Sequence, residues 1–283
     1  MWSPLVRSLL LALGLLGACH SAPAPEPLQA AVPIVMGQGY EIASQVIGET
    51  RRLNIYLPPG HDAPGKRLPV LYLIDGGVDQ DFPHIAGLSQ LAWVSGTYRE
   101  MIVVGIETRD RPRELAFRAA TDTTLAKDYP THGESAKFRS FLADEVKPWI
   151  EARYATDGFD AVMGESLAGL FVTETFLKAP DMFDAYIAVD PSLWWDDAAL
   201  GKAARDLLPA GAKVKRTLYM AIANEGPDVR AGQDLFANAI ISAAQPELTF
   251  VLQDMPDERH ATIYHRAALN ALRLVFANPT EVE

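Results

Sequence analysis

The amino-acid sequence predicts an α/β fold in which one mostly parallel sheet is flanked by helices on both faces. Three observations point to it. The runs LPVLYLID (68–75), MIVVGIE (101–107) and AYIAVDP (185–191) are continuously apolar, as in strands covered on both sides. Segments with apolar residues at helical spacing separate such runs. From residue 68 onward the two patterns alternate, which is the signature of parallel strands joined by crossover helices.

Taken in order, YEIASQVI (40–47) and RRLNIYLP (51–58) read as the two strands of a hairpin around Gly48-Glu49-Thr50, ended by Pro58-Pro59-Gly60. The buried strand 68–75 stops abruptly at Gly76-Gly77. A helix is expected near 84–97, then the strand 101–107. SAKFRSFLADEVKPWIEARY (135–154) places Phe138, Phe141, Leu142, Val146, Trp149 and Ile150 on one helical face. Then follow FDAVMG (strand), SLAGLFVTETFLKA (helix), AYIAVDP (strand), AALGKAARDLL (helix), RTLYMAIAN (strand), a helix near 230–244, LTFVLQD (strand) and a helix over 262–277. An antiparallel opening followed by strict alternation narrows the class to the α/β-hydrolase arrangement.

The ends of the chain carry a different message. Residues 1–18 combine Arg7, an apolar run over 8–17 and a small-residue exit, the make-up of an export signal too short to span a bilayer comfortably. Leu16-Gly17-Ala18-Cys19 resembles a bacterial lipobox, which would make Cys19 a lipidated first residue and a lipid anchor to the membrane. Residues 19–36 then form a Pro/Ala-rich tether, and 37–283 the hydrolase domain. The expected location is therefore periplasmic or at the cell envelope, or secreted if the signal is simply cleaved.

Cys19 is the only cysteine, so the domain has neither a disulfide nor a thiol nucleophile. The full chain carries a net charge of −11; without Arg7 it has 24 basic against 36 acidic side chains. With no basic run, nucleic acid and anionic lipid are poor partners. About 250 residues suffice for one core that buries roughly 70–75% of the unfolded surface.

The chemistry centres on Gly164-Glu165-Ser166-Leu167-Ala168, where a strand pattern turns helical. A serine exposed on a tight strand-to-helix turn needs small neighbours two residues to either side. Gly164 and Ala168 meet that demand, although Ala168 departs from the usual glycine. Serine is also a common helix N-cap, so the flanking strand and helix are what mark Ser166 as a nucleophile. Its hydroxyl needs a base. In this fold the order along the chain is serine, acid, histidine.

Of six histidines, only His260 and His265 follow the last strand. His260, in the loop MPDERHAT, is the expected base, whereas His265 falls inside the last helix and reads as structural. Glu225, directly after RTLYMAIAN, is the favoured acid, with Asp228 as rival and helix-capping residue. Backbone donors for the oxyanion are expected at Leu167 and at Gly77 in Asp75-Gly76-Gly77. No HExxH or third ligand suggests a metal.

LPVLYLIDGG, IETRDRPREL, FLADEVKPWIEARYATDGF, GESLAGLF, DPSLWWDD and ERHA together resemble the esterase branch of the α/β-hydrolases that includes trilactone siderophore esterases, esterase D and mycolyltransferases. The resemblance runs from about residue 40 to 277. It implies hydrolysis of a small carboxylic ester through an acyl-enzyme, with no cofactor. It supports Ser166, His260, Gly77 and Leu167, and points to the loop of Glu225 for the acid. It also implies that Arg111 and Arg113 border the substrate cleft and that Trp194 and Trp195 form an apolar wall. An acyltransferase using the same serine and an inactive envelope binding protein are the rival expectations; acyl partition between water and an acceptor separates the first, and a fluorophosphonate probe the second.

Overall fold

The computed structural model describes residues 31–208 and 215–279. The predicted signal 1–18, Cys19 and the tether up to residue 30 lie outside the described residues. From Val35 onward the chain forms one compact unit. No helix among the described residues is long and apolar enough to cross a membrane.

Eight strands form one sheet: β1 Gln38–Ala43, β2 Thr50–Tyr56, β3 Leu68–Ile74, β4 Ile102–Ile106, β5 Thr156–Glu165, β6 Ala185–Val189, β7 Arg216–Ile222 and β8 Leu248–Asp254. Their order is β1-β2-β4-β3-β5-β6-β7-β8. β1 pairs antiparallel with β2, and β2 with β4; every later pairing is parallel. β3, β4 and β6 are buried along their whole length, because helices cover both faces, whereas edge strands β1 and β8 alternate with more exposed positions.

The helices are α1 Phe82–Ser95, α2 Arg111–Leu115, α3 Thr123–Asp128, α4 Ser135–Phe141, α5 Lys147–Glu151, α6 Leu167–Lys178, α7 Trp195–Leu207, α8 Pro227–Ala243 and α9 His260–Val275. The single helix expected over 135–154 is interrupted. A π turn at Leu142–Val146 separates α4 from α5. Pro148 explains it: the residue has no N–H to donate, and in a regular α-helix its ring would collide with the carbonyl four residues back. The wider turn just before it relieves that collision. Short helices α2 and α3 were not expected, since five or six residues carry too little periodicity to be recognised.

Two close approaches shape the rim at the C-terminal ends of the strands. A Cβ on Gly76 would lie 2.2 Å from the Cα of Gly105, so the exit of β3 can meet β4 only as glycine. One on Gly164 would lie 2.6 Å from the Ala168 methyl. The glycine before the serine therefore makes room for the alanine after it. Helix α2 is fixed to the sheet by Arg51, fully buried on β2, which donates to both carboxylate oxygens of Glu114 at 2.7 Å.

Candidate active site

Ser166 sits between the end of β5 and the start of α6 with φ 60° and ψ −119°. A non-glycine residue held there costs about 1–3 kcal/mol and persists only where surrounding structure dictates it. Here the serine N–H donates to Val189 O at 3.0 Å, and its carbonyl accepts from Leu170 and Ser192 at 2.9 and 3.0 Å. The turn lifts the hydroxyl into a concavity of about 230 Å³ lined by Ser166, Asp190, Pro191, Ser192, Trp194, Glu225, Val229 and His260. Leu167 opens α6, where backbone N–H groups lack intrahelical partners.

His260 is the first residue of α9 rather than part of an irregular loop. Its Nδ1 lies 2.6 Å from Oδ2 of Asp190. This corrects the expectation for Glu225. That carboxylate accepts from the backbone N–H of His260 at 2.5 Å, and the ring takes Asp190 instead. The reason is sheet order: Asp190 directly follows β6, the strand beside β5, so it arrives one strand closer to Ser166 than the loop after β7. Asp228 lies in the first turn of α8, exposed to solvent.

Asp190 is buried, with φ 41°. Its other oxygen accepts from the Ala223 N–H at 3.0 Å and from Nε2 of Gln233, itself fully buried on α8, at 2.9 Å. Burial alone would raise the pKa of Asp190. The donors His260, Ala223 and Gln233 outweigh it and hold the carboxyl below its ordinary range. His260 is shifted upward, first by its hydrogen bond to Asp190 and, against the opposing effect of burial, by the negative charges of Asp190, Glu165 and Glu225. Burial pushes Glu165, next to the serine, up to about 7, with Asp81 and Asp190 adding to the effect and His260 opposing it.

Ser192 places a second hydroxyl 3.4 Å from Oγ of Ser166. Sequence reading missed Asp190, Ser192 and Gln233. The Asp-Pro-Ser of DPSLWWDD held two of the three, but it read as a strand end, and Gln233 gave no signal within a helix pattern.

The remaining expected residues separate into groups. The N–H of Gly77 donates to Oε1 of Gln80 at 2.9 Å, and Gln80 is held in turn by its amide donating to Thr108 O and Oγ1. Gly77 lines a different concavity, with Gln80, Glu107 and Thr108. In this geometry the Gly77 N–H is taken by Gln80 rather than left free for an oxyanion, contrary to the expectation. Arg111 pairs through Nε and a terminal nitrogen with the buried carboxylate of Asp75, both at 2.8 Å. Arg113 is bound to Glu49 and Glu114. Neither lines the concavity of Ser166. His265 contacts His84 on α1, Nε2 to Nδ1 at 2.6 Å, joining α9 to α1. No cluster of three or more metal-ligating side chains occurs among the described residues.

The two tryptophans also divide. Trp194 lines the concavity, whereas Trp195 is fully buried and donates through its indole N–H to Phe117 O at 3.0 Å. They precede three consecutive left-handed residues, Asp196, Asp197 and Ala198. The buried carboxylate of Asp196 stabilises this turn by accepting from the N–H groups of Ala120, Thr121 and Asp122 at 2.8–2.9 Å, and from the Thr121 hydroxyl at 2.7 Å. Burial would raise its pKa, but these donors prevail and bring it to about 2. A carboxyl depressed in the folded state stabilises above its unfolded value of 3.8, and that contribution disappears as pH falls through about 2. Asp196→Asn is accordingly expected to unfold at lower urea concentration than the parent near neutrality. The gap should narrow as the solution is acidified toward about pH 2; a gap independent of pH would show that the charge is not what holds the turn.

A sheet in this strand order, with a serine on a left-handed turn after β5 and a histidine after β8, defines an α/β-hydrolase. The chain matches the Putative esterase family over residues 44–265 and belongs to it. It is 30% identical over 164 residues to the ferri-bacillibactin esterase BesA of Bacillus subtilis, covering 52% of this chain and 56% of that one. To the siderophore enterobactin esterase of Emericella nidulans it is 32% identical over 84 residues, 29% of this chain and 28% of that one. The chain thus spans about half or less of the length of these two curated relatives. The crystal structure of an IroE-like serine hydrolase from Shewanella oneidensis superposes with a TM-score of 0.75 at 29% identity, over 85% of this chain and 80% of that one.

Proposed function

We propose that this protein is a serine carboxylesterase acting through an acyl-enzyme, with Ser166 as nucleophile, His260 as base and Asp190 as the acid that orients it. The observation carrying the proposal is the 2.6 Å contact between Asp190 and Nδ1 of His260 in the same concavity as the strained Ser166. With Nδ1–H donated to Asp190, Nε2 carries the lone pair that accepts a proton. The Oγ of Ser166 attacks the ester carbonyl carbon as its proton passes to Nε2. The carbonyl oxygen becomes an oxyanion beside the N–H of Leu167. Collapse breaks the ester C–O bond, and the departing alkoxide takes the proton from His260. Water then attacks the acyl carbon, gives its proton to Nε2, and the second collapse releases the acid as Ser166 regains its hydrogen. Asp190 stays ionised throughout.

The names of the relatives favour a siderophore trilactone or a short-acyl ester as substrate. The lipobox-like Leu16–Cys19 stretch favours an exported, membrane-anchored form. A panel of esters that includes a trilactone siderophore, together with a fluorophosphonate probe, tests the reading. Hydrolysis of at least one ester and a covalent adduct mapped to the peptide containing Ser166 are expected. A correctly folded protein that takes no label and cleaves nothing in the panel would refute it.

A further inference from the structure

Two carboxylates grip His260, and only one touches its ring. Asp190 binds Nδ1, and Glu225 binds the backbone N–H of the same residue. That N–H belongs to the first residue of a 16-residue helix and has no intrahelical partner. A carboxylate there also faces the positive end of the helix dipole. The loop that carries Glu225 is joined to the histidine loop at a second point, where the Asn224 N–H donates to Glu258 O at 2.9 Å. It is tied to the acid at a third, where the Ala223 N–H donates to Asp190.

These contacts have unequal consequences. Asp190 fixes the ring only relative to its own strand end. The main chain bearing the ring starts a helix at the surface, and the His260 side chain is 41% exposed. Rotation or translation of that first turn would carry Nε2 away from Ser166 even with the Asp190 bond intact. Building on the esterase reading, we infer that Glu225 is a positioning residue: its carboxylate holds the main chain of His260 in place, so that the ring oriented by Asp190 presents Nε2 to Ser166. The residue that chain order favours as the acid thus serves the same histidine from the backbone side.

Two variants separate this role from others. Glu225→Ala removes the acceptor and is expected to lower kcat by about 10–100-fold, the scale of a catalytic group displaced by about 1 Å. KM should stay close to the parent value, whereas a residue serving only as pocket wall would move KM instead. Glu225→Gln keeps an acceptor oxygen and should recover most of the lost kcat. Asp190, Glu165 and Glu225 are the charged groups that act on His260. Removing one negative charge makes the imidazolium less favourable, so the acid limb of the kcat/KM profile of the Gln variant should move to lower pH.

Parent kcat in Glu225→Ala, or an unmoved acid limb in Glu225→Gln, would overturn the inference. So would a drop of about 10⁴-fold in Glu225→Gln, because that is the mark of the triad acid itself. If the Ala variant does not fold, the Gln variant decides by its kcat and its acid limb. Fluorophosphonate labelling of the parent at Ser166 is measured alongside. A labelled, active parent with an unaffected Ala variant rejects the positioning role alone, whereas an unlabelled, inactive parent rejects the esterase reading and this inference with it.

Discussion

Ser166→Ala is expected to reduce ester hydrolysis by about 10⁴–10⁶-fold and to abolish fluorophosphonate labelling. Loss of the nucleophile in a triad that acts as a unit costs about as much as loss of all its members, because the base has nothing left to activate. What remains is substrate binding and the donor at the start of α6, which in comparable sites keeps about 10³–10⁴-fold over water. The fold should survive the change. The strained turn is held by main-chain bonds to Val189, Leu170 and Ser192 and by the close packing of Gly164 on Ala168, none of which involves the hydroxyl. Turnover of a chromogenic ester by the purified variant, with its urea midpoint as control, is the measurement. A variant that is folded and retains parent turnover would exclude Ser166 as nucleophile.

Asp190→Asn should be nearly as damaging, at about 10⁴-fold in kcat, the effect of the same change in a comparable triad. The mechanism of loss differs. An amide nitrogen facing Nδ1 donates, so the imidazole adopts the tautomer with its proton on Nε2 and can no longer accept from Ser166. The negative charge that stabilises the imidazolium is lost as well. Gln233 and the Ala223 N–H then hold the wrong group in the right place. Comparing Asp190→Asn with Glu225→Gln resolves which carboxylate is the acid: the first should approach the level of Ser166→Ala, the second should not. Equal, small losses in both would mean that His260 works without a dedicated acid.

The contrast between these two carboxylates shows where sequence reading stops. Glu225 has the expected position along the chain, after the seventh strand and before the histidine. Asp190 follows the sixth and looked like the end of a strand followed by proline. Distance along the chain does not encode which strand lies beside which. Only the folded chain shows that the ring Nδ1 of His260 meets Asp190, while Glu225 meets its backbone N–H. Gly77 has a similar history. Its place after β3 was legible, but the direction of its N–H is set by Gln80, itself oriented by Thr108 across the rim. The long-helix expectation over 135–154 had the correct apolar face; Phe138, Phe141, Leu142, Val146 and Ile150 are all buried. The π turn came from one proline, Pro148, on the exposed side of the segment.

By itself the sequence determined the class of fold, because strands covered on both sides must be continuously apolar and crossover helices must be amphipathic, and both leave local patterns. It likewise singled out Ser166 and His260 as candidates, whose surroundings are written in neighbouring residues: small side chains around the turn, and a break between the last strand and the last helix. Tertiary structure alone decided which carboxylate meets the imidazole, which group takes the N–H of Gly77, and that Asp196 and Arg51 use their charge to hold loops and helices in place. Those choices rest on hydrogen bonds a few ångströms long between residues tens of positions apart, and such bonds leave no periodic trace in the chain.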